Sequence, residues 1–231
     1  VIITGGNKGI GFDIVKSFLD ANYNVIVGAR SDNGFQKYLS KKVIFKQIDV
    51  KNQKDHFILI DTAIKEFGGL DCFVNNAGFS AWKPIEEIDE DFIEDILSTN
   101  LKGTFWGCKA ASSVMKEGAS IINISSIAGK RGSANNSAYC SSKFGVNGLT
   151  QSLAKELGLR GIRVNALCPV LIKTEGLSEA LLEKYSPAKL DPDKFISDFA
   201  RDNAALKRLP TGKEVGDLAV FLASDNASAI T

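Results

Sequence analysis

"VIITGGNKGIG", residues 1–11, sets a run of β-branched residues directly against a glycine-rich turn. Val1, Ile2, Ile3 and Thr4 carry two substituents on Cβ, which suits an extended strand. From Ile10 to about residue 21, apolar side chains return at helical spacing, so the chain passes from strand to helix through Gly5, Gly9 and Gly11. Glycines allow such a turn to be tight and let the backbone approach a pyrophosphate, whose charge the amides at the helix N-terminus then hold. Gly5, Asn7, Lys8, Gly9, Ile10 and Gly11 are therefore candidate phosphate-binding positions.

The pattern of the opening repeats along the chain. Runs rich in β-branched residues recur at 1–4, 24–29, 43–50, 70–75, 120–125 and 162–169, and segments of helical periodicity lie between them at 10–21, 53–67, 87–114 and 138–158. Strand followed by helix followed by strand requires crossover connections. The expected fold is thus α/β: a doubly wound parallel sheet, Rossmann-like, with helices on both faces and one domain over 1–231. A polar, partly helical insert over about 172–208 interrupts the rhythm and reads as a lid over a substrate. "GKEVGDLAVFLASD" then reads as a last helix, and "ASAIT" stops where a further strand could begin.

Composition narrows the functions available. In 231 residues, 28 Lys and Arg nearly balance 27 Asp and Glu, so no basic field argues for nucleic acid or an anionic membrane. Cys72, Cys108, Cys140 and Cys168 form no CxxC pair, and His56 is the sole histidine, so no metal site is expected. The thiols read as reduced and mostly buried, which suits a cytoplasmic protein. No segment resembles a membrane helix or a charged leader, although the chain opens inside a strand without Met, as if a few residues preceded it. His56 and Met115 read as structural. Small molecules and copies of the chain itself are the expected partners.

Two cations bear on the cofactor. Lys8 lies within the glycine turn and Arg30 follows the second strand, where a protein preferring an unphosphorylated ribose carries an acid for the 2′-hydroxyl. The first acid here is Asp32. A guanidinium suits a 2′-phosphate, so NADP(H) is expected over NAD(H).

"SAYCSSKFG", residues 137–145, places Tyr139 and Lys143 one helical turn apart, a spacing that also occurs on ordinary helix surfaces. The motifs taken together resemble one family, the short-chain dehydrogenases/reductases. "TGGNKGIG" resembles its cofactor turn, "DV" at 49–50 its adenine pair, and "NNAG" at 75–78 its strand-four signature. "STNLKG" supplies Asn100, "NISS" the serine, "YCSSK" the YxxxK motif, and "NALCPVLIKT" the segment that closes on the nicotinamide.

The resemblance implies that Gly5, Gly9, Ile10 and Gly11 line the pyrophosphate, Asp49 and Val50 the adenine, and Asn76, Ala77 and Gly78 the adenosine ribose. Pro169, Ile172 and Thr174 would meet the nicotinamide, whose ribose Tyr139 and Lys143 would also bind. The catalytic set would be Asn100, Ser126, Tyr139 and Lys143, with Ser126 matching the family spacing better than Ser125. Val170 stands where the family usually has Gly, so the pocket is expected to be narrower or its backbone to run differently.

Those residues suit carbonyl reduction to a secondary alcohol. Tyr139 would exchange the proton as general acid/base, an ammonium at Lys143 would lower its pKa, and Ser126 would polarise the carbonyl. Asn100 would hold a water that relays protons to Lys143. Substrates in view are 3-oxoacyl thioesters, sugar-type ketones and small hydroxy ketones. Alternatives are an NAD-dependent alcohol or sugar dehydrogenase and a non-catalytic dinucleotide-binding sensor or scaffold. Phe79 and Trp82 could border the pocket or cover the sheet edge. The resemblance also implies a homodimer or homotetramer built on helices 87–114 and 138–158, although Phe144, Val146, Leu149, Leu153 and Leu157 could equally pack on the sheet.

Overall fold

The computed structural model describes all residues 1–231. Six parallel strands, β1 (Ile2–Thr4), β2 (Val25–Ala29), β3 (Val43–Gln47), β4 (Cys72–Asn75), β5 (Ser120–Ile124) and β6 (Arg163–Leu167), lie in the order β3-β2-β1-β4-β5-β6. The chain steps outward from β1 to β3, then crosses to β4 and winds the other way. The carboxyl ends of β1 and β4 therefore part at a crevice, the place where open α/β sheets take their ligands.

Alternation along each strand divides the interior in two. Ile3, Val25, Val27, Val74 and Ile122 point to one face, where α1 (Gly9–Asp20) and α8 (Gly212–Ala223) cover them. Ile2, Ile26, Phe73, Ile121 and Val164 point to the other, beneath α2 (Gln53–Phe67), α4 (Gly103–Ser112) and α5 (Ser137–Gly158). A strand buried on both faces needs apolar residues at every position, which is why β1 and β2 read as continuous runs.

The predicted helix over 87–114 is divided. A short 3₁₀ turn at Ile85–Glu87 precedes α3 (Glu90–Leu97), which Asp89 caps by accepting from the Phe92 amide at 2.8 Å. A single π turn, Ser98–Lys102, then separates α3 from α4. The insert holds α6 (Glu175–Leu181), capped by Thr174, and α7 (Pro192–Asn203), capped by Asp191. Leu181, Ala188 and Ile196 close over Trp82 in a third, small apolar cluster. Trp82 is thus the seat of the insert, not an open wall of a pocket. No seventh strand forms, but Ile230 and Thr231 lie along the edge of β6, where the Thr231 hydroxyl accepts from the Val164 amide at 2.9 Å and the Ile230 carbonyl from the Asn165 side chain at 2.8 Å.

Candidate active site

The glycine turn is built for close approach. Gly5 and Gly9 have φ of +65° and +55°, in the left-handed region that glycine enters without strain. At Gly11 a Cβ would lie 2.2 Å from the Gly5 carbonyl oxygen and 2.4 Å from Asn76 Nδ2, so only glycine fits between the turn and β4. No side chain caps α1 at Lys8, unlike α3, α6, α7 and α8. Its first amides are left for an outside acceptor, and the backbone can come close to one: this donor set fits a pyrophosphate.

Thr4, which sequence reasoning passed over, ties this turn to the next strand. Its hydroxyl accepts from the Asn76 and Ala77 amides at 3.0 and 3.1 Å, while Asn76 Nδ2 donates to the Thr4 and Gly5 carbonyls at 2.9 and 3.2 Å. The "DV" pair is held in the same manner from α2: the Asp49 amide donates to the Asp55 carboxylate at 2.8 Å, and His56 Nε2 lies 2.9 Å from the Val50 carbonyl. His56 is fully buried, and Val50 packs on Gly103.

Beyond β2, Arg30 and Lys8 are exposed and form no ion pair, while Asp32 is occupied by the Gly34 amide at 3.0 Å. Asn7 reaches across to the Ser31 carbonyl at 2.7 Å, which sets the turn beside these residues.

The candidate catalytic side chains converge on the carboxyl ends of β4 and β5. Lys143 is buried, and its Nζ donates to the Ile124 carbonyl at 2.8 Å and lies beside Gly78, 3.6 Å from where a Cβ would stand. Asn100, completely buried in the π turn, spends its side-chain amide on structure. Its Oδ1 accepts from the Phe79 amide at 3.0 Å, and its Nδ2 donates to the Phe79 carbonyl at 2.9 Å and the Ser142 hydroxyl at 3.2 Å. Ser142 in turn donates to the Tyr139 carbonyl at 2.7 Å. This link was findable: Ser142 is three residues from Tyr139 on the same helix.

The two serines separate clearly. Ser125 is buried and donates to the Lys143 carbonyl at 3.2 Å, whereas half-buried Ser126 caps the turn Ile127–Gly129 by accepting from the Ala128 amide at 3.1 Å. Burial holds the Tyr139 phenol above its ordinary pKa, and the neighbouring Ser126 hydroxyl acts in the opposite direction. Burial pushes the Lys143 ammonium down to about 8, against a rise from Cys168. The expectation that Lys143 lowers Tyr139 is therefore not met in the protein alone. The ammonium is turned to a carbonyl, 5.7 Å from the ring centroid, and both groups resist ionisation because both are removed from water.

Pro169 accepts from the Ile127 amide at 2.9 Å, joining the segment after β6 to the serine turn. Val170 is not among the residues of positive φ, so its backbone takes an ordinary conformation despite the missing glycine. Ile172 is buried in the core, and the Thr174 methyl faces Gly9.

The model of the short chain dehydrogenase family matches residues 1–184, from the glycine turn through the Tyr-Lys helix into the insert. The chain belongs to that family. It is 34% identical over 238 residues to an uncharacterised oxidoreductase, YxjF, of Bacillus subtilis, covering 100% of this chain and 93% of that one. It is 33% identical over 243 residues to a diacetyl reductase [(S)-acetoin forming] of Staphylococcus aureus, covering 100% and 92%. Among solved structures, ligand-free aldohexose dehydrogenase of Thermoplasma acidophilum superposes with a TM-score of 0.88 at 32% identity, covering 100% of this chain and 88% of that one. A short-chain dehydrogenase named glucose/ribitol dehydrogenase, from Brucella melitensis, gives 0.89 at 29%, covering 100% and 91%. As a short-chain dehydrogenase, the chain is an NAD(P)-dependent oxidoreductase acting between C=O and CH–OH groups.

Proposed function

We propose that the protein is an NADPH-dependent reductase that converts a small ketone to a secondary alcohol. The observation that carries this reading is the convergence of buried Lys143, bonded to the Ile124 carbonyl, with Ser126 at the end of β5 and Tyr139 one turn before Lys143, beside a crevice that the uncapped N-terminus of α1 faces. Gly5, Asn7, Gly9, Ile10 and Gly11 would hold the pyrophosphate, Asp49 and Val50 the adenine, and Asn76, Ala77 and Gly78 the ribose beside it. Pro169, Ile172 and Thr174 would border the nicotinamide, which supplies the hydride to the carbonyl carbon.

The chain's own residues then handle the oxygen. Ser126 donates to the carbonyl oxygen and stabilises charge as it develops, and Tyr139 gives that oxygen its phenolic proton. Lys143 supplies positive charge behind the phenolate and contacts the nicotinamide ribose. The Asn100 side chain is bonded to Phe79 and Ser142, and its carbonyl accepts from the Thr104 hydroxyl at 2.8 Å, so Asn100 would serve reprotonation by fixing the π turn beside Lys143. Free Arg30 and Lys8, with no acid competing for them, support NADP(H) over NAD(H).

Of the substrates in view, small hydroxy ketones and sugar-type substrates are favoured by the names of the Staphylococcus and Thermoplasma relatives, and the first of these names adds a small diketone. Exposed Phe105 on α4 and Phe144 on α5 support pairing of two chains across these helices, while Val146 and Leu157 of α5 are buried against the sheet. Unpaired thiols suit a cytoplasmic location.

The test follows loss of NADPH or NADH absorbance with diacetyl, and gain with glucose and either oxidised cofactor. Faster turnover with the phosphorylated cofactor, lost in Arg30→Glu, is expected. Tyr139→Phe should bind NADPH but turn over about 10²- to 10⁴-fold more slowly. Normal turnover in Tyr139→Phe sinks the mechanism, and tight NADPH binding with no oxidation by any ketone transfers the reading to a sensor.

A further inference from the structure

Asn147 lies one turn beyond Lys143 and two beyond Tyr139, so the three share one face of α5. It is buried, and nothing in the proposed chemistry uses it. Its amide is nevertheless spent on two other elements. Nδ2 donates to the Gly129 carbonyl at 2.8 Å, at the end of the turn that begins at Ser126. Oδ1 accepts from the Cys168 thiol at 3.6 Å, directly before Pro169. The contact with the turn is close on every side: a Cβ on Gly129 would stand 2.7 Å from both Asn147 Nδ2 and the Lys143 carbonyl oxygen. The Pro169 carbonyl in turn accepts from the Ile127 amide, closing a loop of three elements around one side chain.

We propose that Asn147 is a positioning residue that acts through Ser126: it clamps the serine turn and the end of β6 onto α5, the helix that carries Tyr139, and so fixes where the Ser126 hydroxyl stands relative to Tyr139. The inference rests on the functional reading above, because it assigns Ser126 and Tyr139 their roles. Its physical basis is separate. The Ser126 side chain bonds only within its own turn, to the Ala128 amide, and that turn is only Ile127–Gly129. Ser125, just before it, is tied to the Lys143 and Leu167 carbonyls, and the turn itself is fixed by the Pro169 carbonyl near its start and by the Asn147 amide at its far end. Removing the amide leaves the buried Gly129 carbonyl without a donor and frees the turn to move by a fraction of an ångström. Misplacement on that scale is enough to cost a rate without unfolding a domain. An amide serves both contacts at once, giving Gly129 a donor and the Cys168 thiol an acceptor from one planar group.

The test compares Asn147→Ala, Ser126→Ala and the double variant by turnover with NADPH and diacetyl. The Tyr139 ring resonance, from tyrosine-selective NMR labelling and assigned with Tyr139→Phe, is followed without cofactor or substrate. Asn147→Ala is expected to lower kcat on the order of tenfold, leave KM for NADPH within about twofold, and move the basic limb of the pH–kcat profile upward. In the Ser126→Ala background it should have no further effect on kcat, and the Tyr139 resonance should move in the same direction in both single variants. Should Asn147→Ala fail to fold, Asn147→Leu, which has neither donor nor charge and keeps nearly the volume, is read in its place.

An equal loss from Asn147→Ala in the presence and absence of Ser126, or an unmoved Tyr139 resonance where Ser126→Ala moves it, overturns the proposal. A Ser126→Ala protein with unchanged resonance and turnover overturns instead the functional reading on which it rests.

Discussion

Lys143 shows at the scale of one residue what the site costs the fold. Its ordinary pKa, about 10.4, is pushed down to about 8 by burial, so near neutral pH the fold carries an ammonium it has partly stripped of water, at a cost of about 3 kcal/mol. Between these two values the unfolded chain binds more protons than the folded one, so stability rises with pH over that window. Lys143→Met removes the charge and fills the stem's volume, but leaves the Ile124 carbonyl unpaired, which returns about 1–3 kcal/mol. The expected outcome near neutral pH is a Tm unchanged or raised, with turnover lost and the alkaline rise in stability gone. Calorimetry across that range checks it, and a Tm lowered by several degrees would make Lys143 a structural residue. The pairing of Tyr139 with Lys143 was legible from spacing, but their actual electrostatics were not. Spacing reports which residues share a face, whereas burial depends on β4, β5 and the π turn that close over them.

At the scale of elements, the strand–turn–helix at the head of the chain was readable because glycine spacing and β-branching are local signals. Gly11 illustrates why it tolerates so little change. A methyl group there would meet the Gly5 carbonyl at 2.2 Å, which is backbone, and at 2.4 Å the side-chain Nδ2 of Asn76, which is held to the Thr4 and Gly5 carbonyls. Gly11→Ala must therefore push α1 away from β4 and break the bonds from Asn76 to Thr4 and Gly5. We expect loss of NADPH binding by at least about tenfold together with a lowered Tm. A fluorescence titration giving the parental Kd would show that the turn has room to yield. The π turn at Ser98–Lys102 was not readable, because apolar spacing continues across 87–114 and carries no mark of one extra residue in a turn. Its cause is tertiary: Asn100 must reach both backbone groups of Phe79 and the Ser142 hydroxyl, and the helix widens there to let it. The insert was legible as a break in rhythm, but its seat on Trp82 was not, since the residues that cover that ring lie about a hundred positions away in sequence.

Across the whole molecule, the two apolar cores were implied by strands apolar at every position, and the polar groups sealed between them set how the fold responds to acid. His56 is the sole histidine and is fully buried, with Nε2 on the Val50 carbonyl and Nδ1 without a partner. Protonation would place a charge and an unsatisfied N–H at Nδ1, so burial lowers its pKa, while the Val50 carbonyl and then Asp55 and Asp49 act in the opposite direction. A depressed folded pKa means that the unfolded chain takes up the proton first. His56 therefore contributes its full stability above about pH 6.5, and that contribution is lost progressively as pH falls below it. Exposed carboxylates held down by basic partners, such as Glu214 at about 2 beside Arg208, act only at lower pH and leave this window clear. His56→Gln keeps a donor for Val50 and cannot titrate. Urea unfolding of the parent should show stability falling between about pH 6.5 and 5, and the variant should fall less steeply there. Equal slopes in the two proteins would remove His56 from the account. When His56 ionises, Nε2 keeps its proton toward the Val50 carbonyl, so the cost of acid falls on the unpartnered Nδ1 and is read as lost stability, with the Asp49–Val50 loop still held.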